Sequence, residues 1–195
     1  MNIAIVDYGA GNVRSVQFAV ERLGYRSALV DAPDGLQAAD RIIFPGVGAA
    51  GAARQALMTS GLWEVIPTLQ QPLLAICLGM QLLAEASAEN NTPGLGIVPG
   101  RVAGFQAPLR VPHMGWNRLV CQNDPLLEGL PSESYAYFVH SYFLPPVPQT
   151  IASTKYGTAF TAALRKNNFW ACQFHPEKSG AVGAQILKNF LERCE

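Results

Sequence analysis

Short apolar runs alternate with stretches in which apolar residues recur every three or four positions, and this rhythm governs the opening part of the chain. Residues 3–6 read as a buried strand. Val13, Val16, Val20 and Leu23 follow helical spacing, and Gly24 is a natural stop. Residues 27–30, 41–44 and 73–76 read as three further strands, with a helical stretch over 49–58 before the last of them. That βαβα order predicts a parallel sheet with helices on both faces. From about residue 94 to 174 the pattern changes. The runs 97–105, 115–121, 135–142, 150–156 and 158–164 are β-rich and broken by Pro and Gly, which predicts antiparallel or mixed strands extending the sheet. A final helix is expected over 180–194, capped by Ser179, with Val182, Ile186, Leu187, Phe190 and Leu191 on one apolar face. No linker, repeat or low-complexity segment interrupts the chain. The expectation is a single domain over 1–195: an α/β fold with an open, mostly parallel central sheet, helices on both faces and added antiparallel strands.

Composition narrows the function classes. At 195 residues, 49% hydrophobic and 14% charged, the chain is long enough for a full core and too poor in charge for disorder. Fourteen basic residues balance fourteen acidic ones, which argues against nucleic acid and anionic membrane surfaces as partners. The cysteines, Cys77, Cys121, Cys172 and Cys194, show no CxxC spacing, so reduced thiols in the cytoplasm are the expected state. The first seven residues have no basic leader, and no apolar run is long enough to span a bilayer.

Cys77 carries the first chemical signal. An apolar run ends in it and then turns through Gly79 into a helical pattern, which lifts the thiol off a strand and sets it near a helix N-terminus that favours thiolate. Alone, a buried structural cysteine is the commoner explanation. Gln81 follows one helical turn later and can share the nucleophile's face. The second signal is His175-Pro176-Glu177. Pro176 restricts His175 to extended backbone, where alternate side chains point the same way, so Glu177 can orient the imidazole. A base and its orienter beside a cysteine suit acyl transfer through a thioester. Zinc on Cys172 and His175 fits less well, because residues three apart on a strand face opposite ways and no second ligand pair is visible. Residues 46–51 match GxGxxG, but after a later strand than a dinucleotide fingerprint occupies. The better use of Gly46, Val47 and Gly48 is an oxyanion hole, with the Val47 and Leu78 N–H groups as donors. The segment 137–142 can line a pocket or form an ordinary strand. The segment 112–117 is rich in Met and Trp, which suits an interface or a core.

Taken together, these motifs mark the chain as similar to the class I glutamine amidotransferases, and among them to the glutaminase subunits of imidazole glycerol phosphate synthase. The resemblance runs nearly end to end. It rests on residues 7–12 (DYGAGN), 45–48 (PGVG), 76–81 (ICLGMQ), 94–96, 112–117, 140–142 and 175–179. Ala75 departs from it, standing where the elbow usually has glycine. The resemblance implies a flavodoxin-like sheet and hydrolysis of glutamine to glutamate and ammonia by Cys77, His175 and Glu177, with no cofactor or metal. It implies that Gly46, Gln81, Glu89, Ser141 and Tyr142 bind substrate. It further implies a heterodimer with a (β/α)₈-barrel cyclase that uses the ammonia to make imidazole glycerol phosphate and an aminoimidazole carboxamide ribotide. Asn12, Trp116, Asn117, Tyr137 and Lys178 fall at or near that interface. The alternatives are a class I glutaminase serving another synthase and a noncatalytic nucleotide-binding subunit.

Overall fold

Successive residues of β1 (Ile3–Val6) face opposite ways, and each pair meets its own layer of helices. Ile3 and Ile5 pack with Val16, Ala19 and Val20 of α1 (Val13–Arg22) and with Ile186, Leu187 and Phe190 of α6 (Gly180–Arg193). Ala4 and Val6 pack with Leu36 of α2 (Pro33–Gln37), Ala53 and Leu57 of α3 (Ala50–Thr59), and Leu62 of α4 (Leu62–Val65). All four side chains of β1 are buried, as expected of a strand covered on both faces. These relations come from a computed structural model that describes residues 1–9 and 12–195. Ala10 and Gly11 of the opening motif lie outside the described residues.

The main sheet has eight strands in the order β2-β1-β3-β4-β14-β13-β12-β9. Its parallel half is β2 (Ser27–Val30), β1, β3 (Arg41–Gly46), β4 (Leu73–Cys77) and β14 (Phe169–Cys172). β13 (Thr158–Lys166), β12 (Thr150–Tyr156) and β9 (Val120–Cys121) extend it antiparallel. The expected fold class is the observed one. The expectation for residues 94–174 needs correction, because only part of that region joins the main sheet. β8 (His113–Arg118) and β10 (Tyr135–His140) form a separate antiparallel ribbon. β7 (Val98–Gly104) joins β11 (Tyr142–Phe143), β5 (Ala84–Ser87) and β6 (Thr92–Pro93) in a small sheet. Strand pairing is interrupted at Leu119 and at Ser141, where these runs change sheet. Period-2 alternation sets a strand's face but does not name its neighbour.

Two local features differ from expectation. The helix after Cys77, α5 (Leu78–Leu82), has only five residues before the chain turns into β5. Ser179 occupies the N-cap position of α6 but makes no capping bond. Its hydroxyl donates to the His175 carbonyl at 2.7 Å and accepts from the Tyr137 N–H at 2.9 Å. The His175 N–H in turn donates to the Tyr137 carbonyl at 2.9 Å, so the His175 loop is fastened to β10.

Candidate active site

β4 ends beside β3, with Gly46 paired to Cys77. Cys77 has φ 53° and ψ −108°, a conformation L-residues avoid, which stores about 1–3 kcal/mol of strain. A strained turn between strand and helix presents its side chain off the top of the sheet. Gly79 makes the turn possible by close approach: a Cβ there would meet the Phe44 carbonyl oxygen of β3. Backbone cannot yield as a flexible side chain can. Gly79→Ala is therefore expected to lower stability by about 1–3 kcal/mol or more, read as a fall in the thermal or denaturant midpoint. Gly46 is under the same constraint, since a Cβ would stand 2.6 Å from the Gly79 nitrogen and 2.9 Å from the Tyr8 hydroxyl. The Gly46-Val47-Gly48 loop thus lies against the elbow of Cys77.

β14, next to β4, delivers His175 to the same end of the sheet. His175 is extended, at φ −100° and ψ 98°. Glu177, by contrast, lies on a 3₁₀ turn over Pro176–Lys178, so a turn rather than strand alternation brings the two together. His175 Nδ1 lies 2.9 Å from Glu177 Oε1, and both side chains are almost wholly buried. The carboxylate can only accept, so Nδ1 carries the proton. Burial lowers the His175 pKa. Hydrogen bonding to Cys77 and Glu177 and their negative charges outweigh this and raise it to about 10. Nε2 has no nitrogen or oxygen partner among the described residues, which leaves it for the thiol and for a reactant.

Gly48, Cys77, Gln81, Glu89, Pro112, Val139, His140, Ser141 and Tyr142 line a cavity of about 240 Å³ around the sulfur. A roomier cleft of about 560 Å³ beside β2 is lined by Met1, Arg26, Ser27 and mostly apolar residues, and neither Cys77 nor His175 lines it. All the residues expected to bind substrate reach the smaller cavity except Gly46, which is paired with Cys77 at the end of β3. Glu89 arrives because α5 ends early and the chain doubles back. Its carboxylate accepts from the Ala50 N–H at 2.8 Å, at the start of α3. Gln81 has both amide hydrogens engaged, donating to the Tyr142 carbonyl at 2.9 Å and to Gln173 Oε1 at 3.1 Å. Only its oxygen is left for a ligand, so Gln81 can meet an ammonium but not a carboxylate.

The expected interface residues divide. Trp116 (57% exposed) and Tyr137 are paired across the β8–β10 ribbon, with ring centroids 6.0 Å apart, and Met114 (63% exposed) shares their face. Lys178 is exposed beside Glu177, and Asn12 precedes α1. Asn117 alternates to the other face of the ribbon, where its amide donates to the Lys155 carbonyl at 3.0 Å.

Four residues near the sulfur were not singled out in the sequence. Gln173 Nε2 donates to Cys77 Sγ at 3.6 Å. His113 and His140 are buried and bonded to each other at 3.0 Å. The Tyr8 hydroxyl is buried, with no partner among the described residues, and burial followed by the charge of Cys77 pushes its pKa up. Gln173 adjoins the His-Pro-Glu motif, and His113 and His140 fall in segments already noted. No spacing rule joins them to Cys77.

The sequence pattern of the family described as glutamine amidotransferase class-I matches residues 4–194. The chain is 47% identical over 196 residues to the imidazole glycerol phosphate synthase subunit HisH of Bacteroides fragilis, covering 98% of this chain and 100% of that one. It is 46% identical to the protein of the same description in Pasteurella multocida, over 100% and 99% of the two chains. Among solved structures, a glutamine amidotransferase superposes with TM-score 0.76 at 20% identity, over 97% of both chains. PurLQS from Thermotoga maritima superposes with TM-score 0.76 at 17% identity, over 100% of this chain and 99% of that one. Those two likenesses concern the fold.

Proposed function

The chain belongs to the class I glutamine amidotransferase family, and on that footing we propose that Cys77, His175 and Glu177 perform its glutamine hydrolysis. It acts as the glutamine amidotransferase subunit of an imidazole glycerol phosphate synthase, in histidine biosynthesis. The observation that carries the catalytic assignment is the positive-φ cysteine whose charge helps raise the pKa of a buried, carboxylate-bound histidine.

In this reading the Cys77 thiolate attacks the side-chain amide carbon of glutamine. The N–H groups of Val47 and Leu78, with Gly48 allowing the loop its turn at φ 94°, stabilise the oxyanion. The His175 imidazolium gives its Nε2 proton to the departing ammonia, leaving a glutamyl thioester. Sulfur then carries no charge, so one of the two influences holding the imidazole protonated disappears. His175 can now take a proton from water, whose oxygen adds to the thioester and expels the thiolate. The substrate's ammonium group faces Gln81 Oε1 and Glu89, and its carboxylate faces Ser141 and Tyr142 at the other wall.

The ammonia goes to a (β/α)₈-barrel cyclase subunit, docked on the face bearing Trp116, Tyr137 and Lys178, in a heterodimer. Among the described residues no helix is long and apolar enough to cross a membrane. A thiolate nucleophile needs a reducing compartment, and the cytoplasm supplies one. The deciding experiment measures glutamate release by the chain alone and with a cyclase barrel holding a substrate analogue. Stimulation of at least about tenfold, absent in Cys77→Ser, is expected. Full activity that ignores the barrel would keep the triad and reassign the partner.

A further inference from the structure

A chain of buried polar groups outside the triad ends on Cys77, and its hydrogen bonds, together with burial, set the donor at each link. The Tyr142 carbonyl can only accept, so His140 Nδ1, 2.7 Å away, is the donor. Burial drives the His140 pKa down to about 3, against the opposing bond to Tyr142, and the charges of His113 and His175 lower it further. A neutral ring protonated on Nδ1 must accept at Nε2, so the His113 Nδ1–H donates to it at 3.0 Å. His113 also has its pKa lowered by burial. Its Nε2 is therefore an acceptor, and it faces the Asn117 amide nitrogen at 3.4 Å. On the far side of the Tyr142 carbonyl, Gln81 donates both to it and to Gln173 Oε1. That bond orients Gln173: turning its amide over would set two donors against each other. Nε2 of Gln173, itself fully buried, is thereby held toward Cys77 Sγ.

We propose that Gln173 is a further catalytic residue, whose side-chain N–H holds and aims the Cys77 thiolate, and that His113 positions it through His140, Tyr142 and Gln81. The assignment rests on the thiolate chemistry proposed above. Thiolate needs such a donor here. The helix behind it has five residues, so its dipole is small, and the Val139 carbonyl lies 3.9 Å from the sulfur, where it opposes negative charge. A hydrogen bond to a charged acceptor is among the stronger ones, and a buried site strengthens it.

The test is the rate of iodoacetamide alkylation of the full chain at pH 7. It is read at Cys77, which is buried but lines the cavity, by peptide mass spectrometry, because the exposed Cys121 reacts as well. Gln173→Met keeps the volume and removes the donor. Its Cys77 is expected to react about 10–100-fold more slowly, with kcat for glutamine falling in step and KM moving less than about threefold. His113→Leu is expected to slow alkylation several-fold. His113→Asn restores most of that loss, since an Asn nitrogen can stand near the position of Nδ1; a merely space-filling histidine would show no such rescue. A Gln173→Met rate within about twofold of the parent overturns the proposal. Should that variant fail to fold, Gln173→Glu decides on the same criterion, because Glu keeps the size and the acceptor toward Gln81 without the N–H. Alkylation needs no glutamine. A parent chain lacking glutaminase activity even with the barrel would thus defeat the proposed function while leaving this comparison to be read on its own.

Discussion

Cys77→Ser is expected to lose glutamine hydrolysis by about 10⁴-fold or more while keeping its fold. Serine is smaller than cysteine by little more than the difference between oxygen and sulfur, so the turn at φ 53° accepts it as it accepts the thiol. Chemistry is lost because a hydroxyl stays protonated where a thiol ionises, and His175 is built to face a negative charge. Its raised pKa depends in part on Cys77, as hydrogen-bond partner and as charge. A neutral hydroxyl removes that charge and leaves a far weaker nucleophile in the same place. Glutamine binding is expected to survive, because Gln81, Glu89, Ser141 and Tyr142, which line the cavity, are untouched. The check is glutamate release by the variant beside its glutamine affinity by calorimetry. Residual turnover above about one tenth of the parent would move the nucleophile elsewhere.

Glu177→Gln is expected to lower kcat by about 10²–10⁴-fold with little change in KM. The amide keeps an oxygen for the Nδ1–H now bonded at 2.9 Å but removes the buried charge that stabilises imidazolium. The same substitution changes pH dependence with a definite sign. In the folded chain His175 binds its proton more tightly than in the unfolded chain, up to about 10 against an ordinary 6.5. The stabilisation from this is whole below pH 6.5 and is lost as pH rises through about 10. Glu177 raises that upper limit through both its hydrogen bond and its charge, so in Glu177→Gln the loss is smaller and is complete at lower pH. Histidine ring NMR and unfolding temperatures across pH 6–11 measure both effects. An unmoved alkaline limit would show that Glu177 does not govern the imidazole.

Much of this could be read from the sequence because the signals are short. The five residues of β4 end in Cys77, with a glycine two positions on, and that order alone predicts a turn that lifts the thiol off the strand. His175 and Glu177 are two apart, so any turn or extended path keeps them close. Four strands of the parallel half follow from apolar runs separated by helical spacing; the fifth, β14, lies outside those runs. The choice of partner for each strand between residues 94 and 174 was not legible in the same way, since alternation fixes faces and leaves neighbours open. Ser179 shows the limit sharply: its type and position predict a cap, yet its hydroxyl is spent tying His175 to β10.

The sequence by itself determined the α/β class, the turn that carries Cys77, the adjacency of His175 and Glu177, and the glycine loop after β3, because each is fixed by contacts within a few residues or by a periodic pattern. Only the tertiary structure decided that Glu89 returns to the cavity, that Asn117 turns away from Trp116, and that Gln173, Gln81, His140 and His113 form one polar chain to Cys77. Those bonds join residues as much as 96 positions apart, and several must be made together. A buried donor takes whichever acceptor the completed packing brings within reach, and no local spacing encodes that choice.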